Sequence, residues 1–126
     1  MVYTSYYANV KKLNSDEYVF VGISATVPDD VKCLHYKKLA PSYNNLMSYK
    51  NGECTFEEYK ERYIKETLSS LIQITVISEI KRLLGEEDTN KHIVLLCFEK
   101  NTSSCHRSIV AEWLASGGIT VRELIV

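Results

Sequence analysis

No apolar run in these 126 residues approaches the roughly 18 needed to cross a bilayer as a helix, so no membrane partner is expected. The opening segment "MVYTSYYANVKK" lacks the apolar stretch and small-residue cleavage site of a secretory signal. Charge of one sign is missing too. Fifteen basic against 16 acidic side chains give a formal charge of −1. That balance excludes a broad pull toward nucleic acid or anionic lipid and leaves only a local basic cleft for an anion. Repeats, linkers and low-complexity tracts are absent as well. With nothing to indicate secretion, Cys33, Cys54, Cys97 and Cys105 are expected as reduced thiols of a cytoplasmic protein rather than as two disulfides.

What is present is ordinary globular material, 45% apolar and 25% charged, enough for one core and one domain over residues 1–126. "VYTSYY" (2–7) alternates and is rich in β-formers, which predicts a first strand. "YVFVGIS" (18–24) and "HIVLLCF" (92–98) are continuous apolar runs of the kind buried on both faces of a parallel sheet. "ITVRELIV" (119–126) closes the chain as a fourth strand, while "ANVKKL" is a turn or short helix. Between them, Pro41-Ser42 opens a helix that ends at Asn51-Gly52, and Thr55 with Glu58 has capping-box spacing. Phe56, Tyr59, Tyr63, Ile64, Leu68 and Leu71 then follow a helical stripe. Residues 74–85 favour a helix stopped at Gly85, and "CHRSIVAEWLASGG" one stopped at Gly117-Gly118. Strands alternating with helices predict a single three-layer-type α/β domain. Its sheet is small, mainly parallel and four-stranded, with flanking helices, in a Rossmann-like arrangement.

The chemistry is concentrated in "CFEKNTSSCHR", residues 97–107, where a buried strand runs through a polar loop into a helix start. Free N–H groups and the helix dipole favour an anion there. Ser103 and Ser104 can cap the helix or donate to an oxyanion. His106 and Arg107 fall in the first turn, where the dipole opposes positive charge, so a negative ligand or partner is the expected reason for them. Arg107 has the planar fork that suits phosphate or carboxylate, with pairing to Glu99 or Glu112 as the internal alternative. Cys105 at the helix start is a candidate nucleophile, because a thiol pKa falls in that position. His106 is a candidate proton carrier, and Glu99 an orienting group or base. Lys100, together with Ser24 on the facing loop, completes the ligand-binding set.

Two other chemistries fit poorly. Cys97, Cys105 and His106 match neither paired CxxC nor histidine-pair spacing, so no metal is expected. Cys105 and Arg107 are separated by one residue and Cys97 and Arg107 by nine, which rules out a phosphatase-type cysteine–arginine loop. The nine tyrosines read chiefly as an amphipathic wall between core and solvent.

The segments "YTSYYANVKKL", "VGIS", "YKKLAPSY", "FEEYKERYIKETL" and "LLCFEKNTSSCHRSIVAEWL" together resemble the family called domain of unknown function 488. The most specific piece is carried by Cys97, Glu99, Lys100, Cys105, His106 and Arg107. The resemblance implies a compact α/β fold and brings no established reaction; the cofactor stays unknown at this point.

The residues point first to a small phosphorylated or nucleotide-like ligand bound, and processed, at 97–107. Arg107 and the helix-start amides would hold the anion. The alternatives are a non-catalytic module for nucleic acid or protein, and a metal- or redox-linked thiol protein built on Cys97 and Cys105. Nothing in the residues fixes the oligomeric state.

Overall fold

The computed structural model describes residues 1–88, 90–102 and 105–124. Among these described residues, five strands form one sheet: β1 Val2–Tyr6, β2 Tyr18–Gly22, β3 Leu34–His35, β4 His92–Cys97 and β5 Val121–Glu123. Their spatial order is β3-β2-β4-β1-β5, and every pairing is parallel. The four expected strands share this sheet. The fifth, β3, escaped the sequence reading because two residues are too few to carry an alternation.

A parallel sheet sends every strand's carboxyl end to the same edge. Tyr6 of β1 stands beside Cys97 of β4, and Gly22 of β2 beside Leu96. Ile23 extends that ladder, its N–H donating to the Leu96 carbonyl at 3.1 Å. Strand β4, central and apolar throughout, is buried from Ile93 to Cys97. Its side chains therefore alternate between two cores.

Val2, Val19, Val21, Ile93, Leu95 and Cys97 face the larger core, against the helices. These are α1 Tyr43–Lys50, α2 Phe56–Tyr63, α3 Gln73–Leu84 and α4 His106–Ser116. Val94 and Leu96 face the smaller core, with Tyr7 and Leu124. That second face is covered by a 3-10 turn, Tyr7–Lys12, and by Val27, Val31 and Cys33 from the segment joining β2 to β3. Each apolar side chain fully removed from water contributes about 1.5–3 kcal/mol before entropy is counted, so the helical face carries most of the stabilisation.

The helices form for the reasons their sequences give. Ser42 accepts from the Asn45 N–H at the start of α1, and Thr55 with Glu58 closes a reciprocal capping box on α2. Gly85 (φ 87°) and Gly118 (φ 85°) take the left-handed conformation just past α3 and α4. One expectation needs correcting. Helix α2 runs into a π turn, Ile64–Leu68, which sets Leu68 five residues beyond Tyr63 on the same buried face. Ile64, placed in the buried stripe by a regular helical period, is instead 40% exposed.

Among the described residues, no helix is long and apolar enough to cross a membrane.

Candidate functional site

Three segments meet at the carboxyl edge of the sheet: the loop after β2, the loop after β4, and the start of α4. A cavity of about 80 Å³ lies between them, with Ser24, Lys50, Cys97, Glu99 and His106 in its wall. Cys97 ends β4, Cys105 is the residue before the first turn of α4, and His106 opens that helix. Strand and helix start thereby bring two thiols and an imidazole together across the intervening loop. One donor atom from each lies within 4.8 Å of the others.

His106 is 5% exposed and its ring is held on two sides. Nε2 stands 2.8 Å from the carbonyl oxygen of Ile23. A carbonyl only accepts, so Nε2 carries a hydrogen, and Nδ1 is the nitrogen turned toward sulfur. Cys97 Sγ is 3.5 Å from that Nδ1. The edge of the Tyr63 ring packs against the imidazole at 5.4 Å between centroids, and Tyr63 is itself fixed by donating to the Leu39 carbonyl at 2.6 Å.

The two thiols have opposite tendencies. Burial pushes Cys97 well above the ordinary thiol range. Cys105 is pulled down to about 5, first by the Cys97 thiol as a donor, against the opposing effect of burial, and further by His106 and the Arg107 backbone N–H. A protonated Cys97 beside a Cys105 thiolate satisfies both tendencies at once. Lys50 and Glu99 form an ion pair of 2.8 Å at the rim. Burial acts most strongly and raises the Glu99 carboxyl, but the Lys50 ammonium, the Glu99 backbone N–H and the Cys105 side chain together leave it lowered. Both partners are part-exposed, so the pair is worth at most about 1 kcal/mol and opens easily.

Arg107 has a different place from the one its sequence suggested. It is fully buried, and its guanidinium is engaged within the chain. Nε and Nη2 each donate to Glu123 at 3.1 Å. Nη2 also reaches the Lys100 carbonyl at 2.9 Å, and Nη1 donates to the Glu99 carbonyl. Thr4 donates to the same Glu123 carboxylate at 2.6 Å. The positive charge at the helix start is thus answered by a carboxylate of β5 rather than left open for an outside anion. Arg107 ties the loop after β4 to the far edge of the sheet and so holds the backbone of the site. Neither Glu99 nor Glu112 supplies its carboxylate partner; those two pair with Lys50 and Lys60.

The remaining expected residues divide. Ser24 lies in the cavity wall, yet its hydroxyl is occupied: it donates to the Thr26 carbonyl at 2.6 Å and meets the Tyr7 hydroxyl at 2.5 Å. With its own hydrogen committed to Thr26, Ser24 accepts from Tyr7. Glu99 belongs to the cavity through its side chain. Lys100 does not, since it lines a separate depression with Tyr6, Asn9 and Lys12. Ser103 and Ser104 lie outside the described residues.

Sequence reasoning missed Lys50, Tyr7 and Glu123. No local signal marks them: Lys50 ends α1, 49 positions before its partner Glu99, and Glu123 joins Arg107 only through strand order. The thiol cluster is the opposite case. Irregular spacing argued against shared ligation, but the fold places Cys97, Cys105 and His106 near enough to share one ion. A fourth donor would have to come from outside the three, and Glu99 is already held by Lys50.

A chain with an all-parallel α/β sheet and a cysteine–histidine cluster at its carboxyl edge defines a class of protein more firmly than a reaction. The family model described as the active DUF488-N3 subclade, DUF488-N3a, matches residues 4–118. The chain belongs to this DUF488 family. No curated protein and no solved structure matches it.

Proposed function

We propose that this protein binds a small phosphorylated or nucleotide-like ligand in the cavity beside Cys97, Glu99 and His106 and processes it through the Cys105 thiolate. The observation that carries the reading is the grouping of Cys105, Cys97 and an oriented His106 within 4.8 Å, beside a cavity at the carboxyl edge of a parallel sheet. That edge is where open α/β sheets place their ligands. A nucleophile beside a base, with the base oriented by a third group, is the arrangement that activates a thiol. Here the third group is the Ile23 carbonyl.

In this reading Cys105 attacks an electrophilic centre of the ligand, and the leaving group takes the proton from the His106 imidazolium. Water, deprotonated by the neutral ring, then releases the product and restores the thiolate. Lys50 takes over the anion-binding role first expected of Arg107, exchanging Glu99 for the ligand's negative group. Glu99 is the rim carboxylate that yields on binding, Ser24 is a fixed wall, and Arg107 keeps the loop in place. The matched subclade is called active, which agrees with a catalytic role.

A thermal-shift series with inorganic phosphate, sulfate and a nucleotide tests the binding half. The wild type should melt at higher temperature with at least one of them. Lys50→Ala should lose most of that rise, and Cys105→Ser should keep it. No shift with any anion, or an undiminished shift in Lys50→Ala, contradicts the reading.

A further inference from the structure

The mechanism above uses Cys105 and leaves Cys97 with no chemical step of its own. Cys97 is a second sulfur, fully buried, at the fixed end of the central strand, with its Sγ inside the same 4.8 Å cluster. It lines the cavity, and Cys105 keeps only 2% exposure just beyond it. An inert small side chain would satisfy packing at that position. A thiol there gives any oxidised form of Cys105 a partner within reach.

We propose that Cys97 and Cys105 form a hydroperoxide-reducing dithiol pair, with Cys105 as the attacking sulfur and Cys97 as the resolving one. The inference rests on the proposed nucleophilic role of Cys105. The cavity of about 80 Å³ beside Cys97 has room for hydrogen peroxide.

The chemistry balances without a further cofactor. The Cys105 thiolate attacks one peroxide oxygen, the O–O bond breaks, and the departing hydroxide takes the imidazolium proton of His106 to leave as water. Cys105 is then a sulfenic acid. Neutral His106 accepts the proton of Cys97 at Nδ1, 3.5 Å away. The new thiolate attacks the Cys105 sulfur, and the sulfenic hydroxide leaves as water with that proton. Two thiols have lost two electrons, one peroxide has become two waters, and one disulfide remains. A small external thiol restores the pair by exchange. While closed, the disulfide holds both sulfurs and stops any other reaction of Cys105.

The remaining cysteines supply internal controls. Cys33 and Cys54 lie outside the cluster and are part-exposed. The purified protein is treated with one equivalent of hydrogen peroxide, its free thiols are blocked with N-ethylmaleimide, and its peptides are mapped by mass spectrometry. The wild type should lose two of its four thiols together and yield one Cys97–Cys105 cross-link, reversed by dithiothreitol. Cys97→Ser and, as a second variant in case the first packs poorly, Cys97→Ala should stop at a Cys105 sulfenic acid that dimedone captures. Circular dichroism establishes that each is folded. Separate iodoacetamide labelling of untreated protein divides the two possible failures. Unreactive Cys105 sinks the nucleophile and this pair together. Reactive Cys105 that forms a stable sulfenic acid beside free Cys97, or a cross-link to Cys33 or Cys54, overturns the dithiol pair alone.

Discussion

His106 Nε2 stands 2.8 Å from the Ile23 carbonyl oxygen, and this one bond decides which ring nitrogen faces the thiols. A strand end of β2 thereby sets the proton chemistry of a residue 83 positions later in the chain. Replacing His106 by Gln keeps a polar group of similar reach but removes the imidazole that helps lower Cys105. Labelling of Cys105 at pH 6 should slow roughly tenfold or more, because an opposite charge no longer favours the thiolate. Peptide-resolved alkylation rates check this, and an unchanged rate would show that His106 plays no part.

Arg107 should behave as scaffold. Its charge is buried and shared among Glu123 and two loop carbonyls, so Arg107→Ala leaves an unpaired carboxylate and a loosened loop. Loss of a buried pair's partner costs about 3–5 kcal/mol, and the part-exposed Glu123, which keeps its bond from Thr4, puts this loss at the low end. Arg107→Lys should recover little, since an ammonium cannot reproduce a fork that spans Glu123 and Lys100. Urea unfolding at neutral pH measures both. A variant as stable as the wild type would return Arg107 to the role of a ligand-binding cation.

Gly22, at the end of β2, has no room for a side chain. A Cβ there would sit 2.5 Å from Val27 Cγ1 and 2.6 Å from the Tyr7 hydroxyl. Gly22→Ala should therefore cost about 1–3 kcal/mol, typical of overpacking. It should also slow Cys105 chemistry by displacing the Tyr7–Ser24 pair at 2.5 Å and, with it, the neighbouring Ile23 carbonyl. Chemical denaturation together with alkylation kinetics separates the two effects.

The fold was legible because its signals are local. The apolar runs of β2 and β4, the Thr55–Glu58 box and the Gly85 stop each declare themselves within a few residues. The thiol cluster was partly legible, since Cys105 and His106 adjoin and Cys97 ends a recognisable strand. Its electrostatics were not. That Arg107 finds Glu123, and Lys50 finds Glu99, follows from strand order and helix packing, which no spacing in the sequence encodes. The π turn failed for a related reason: one extra residue in a turn shifts every later position from the period that predicts it.

Purified protein is expected to hold no stoichiometric zinc or iron, as a protonated Cys97 and a Glu99 engaged by Lys50 leave the cluster short of anionic donors. Plasma emission spectroscopy checks it. About one metal per chain, lost in Cys105→Ser, would reassign the cluster as a metal centre.

Both proposals require a Cys105 thiolate at neutral pH, and its pH titration tests that most directly. Cys105 is faced by Cys97 from β4, by Glu99 from the following loop, by His106 and Arg107 from α4, by Lys50 from α1 and by Tyr59 from α2. A thiol lowered in the folded state adds stability above its unfolded value of about 8.5, and loses it as pH falls through about 5. Iodoacetamide labelling between pH 4 and 9, resolved by peptide mass spectrometry, reads the same transition, with Cys33, which burial raises, as the internal reference. The Cys105 midpoint should lie near 5, with labelling at pH 7 far ahead of Cys33. A midpoint at or above that of a free cysteine, or a Cys105 closed to reagent until the protein unfolds, would contradict it.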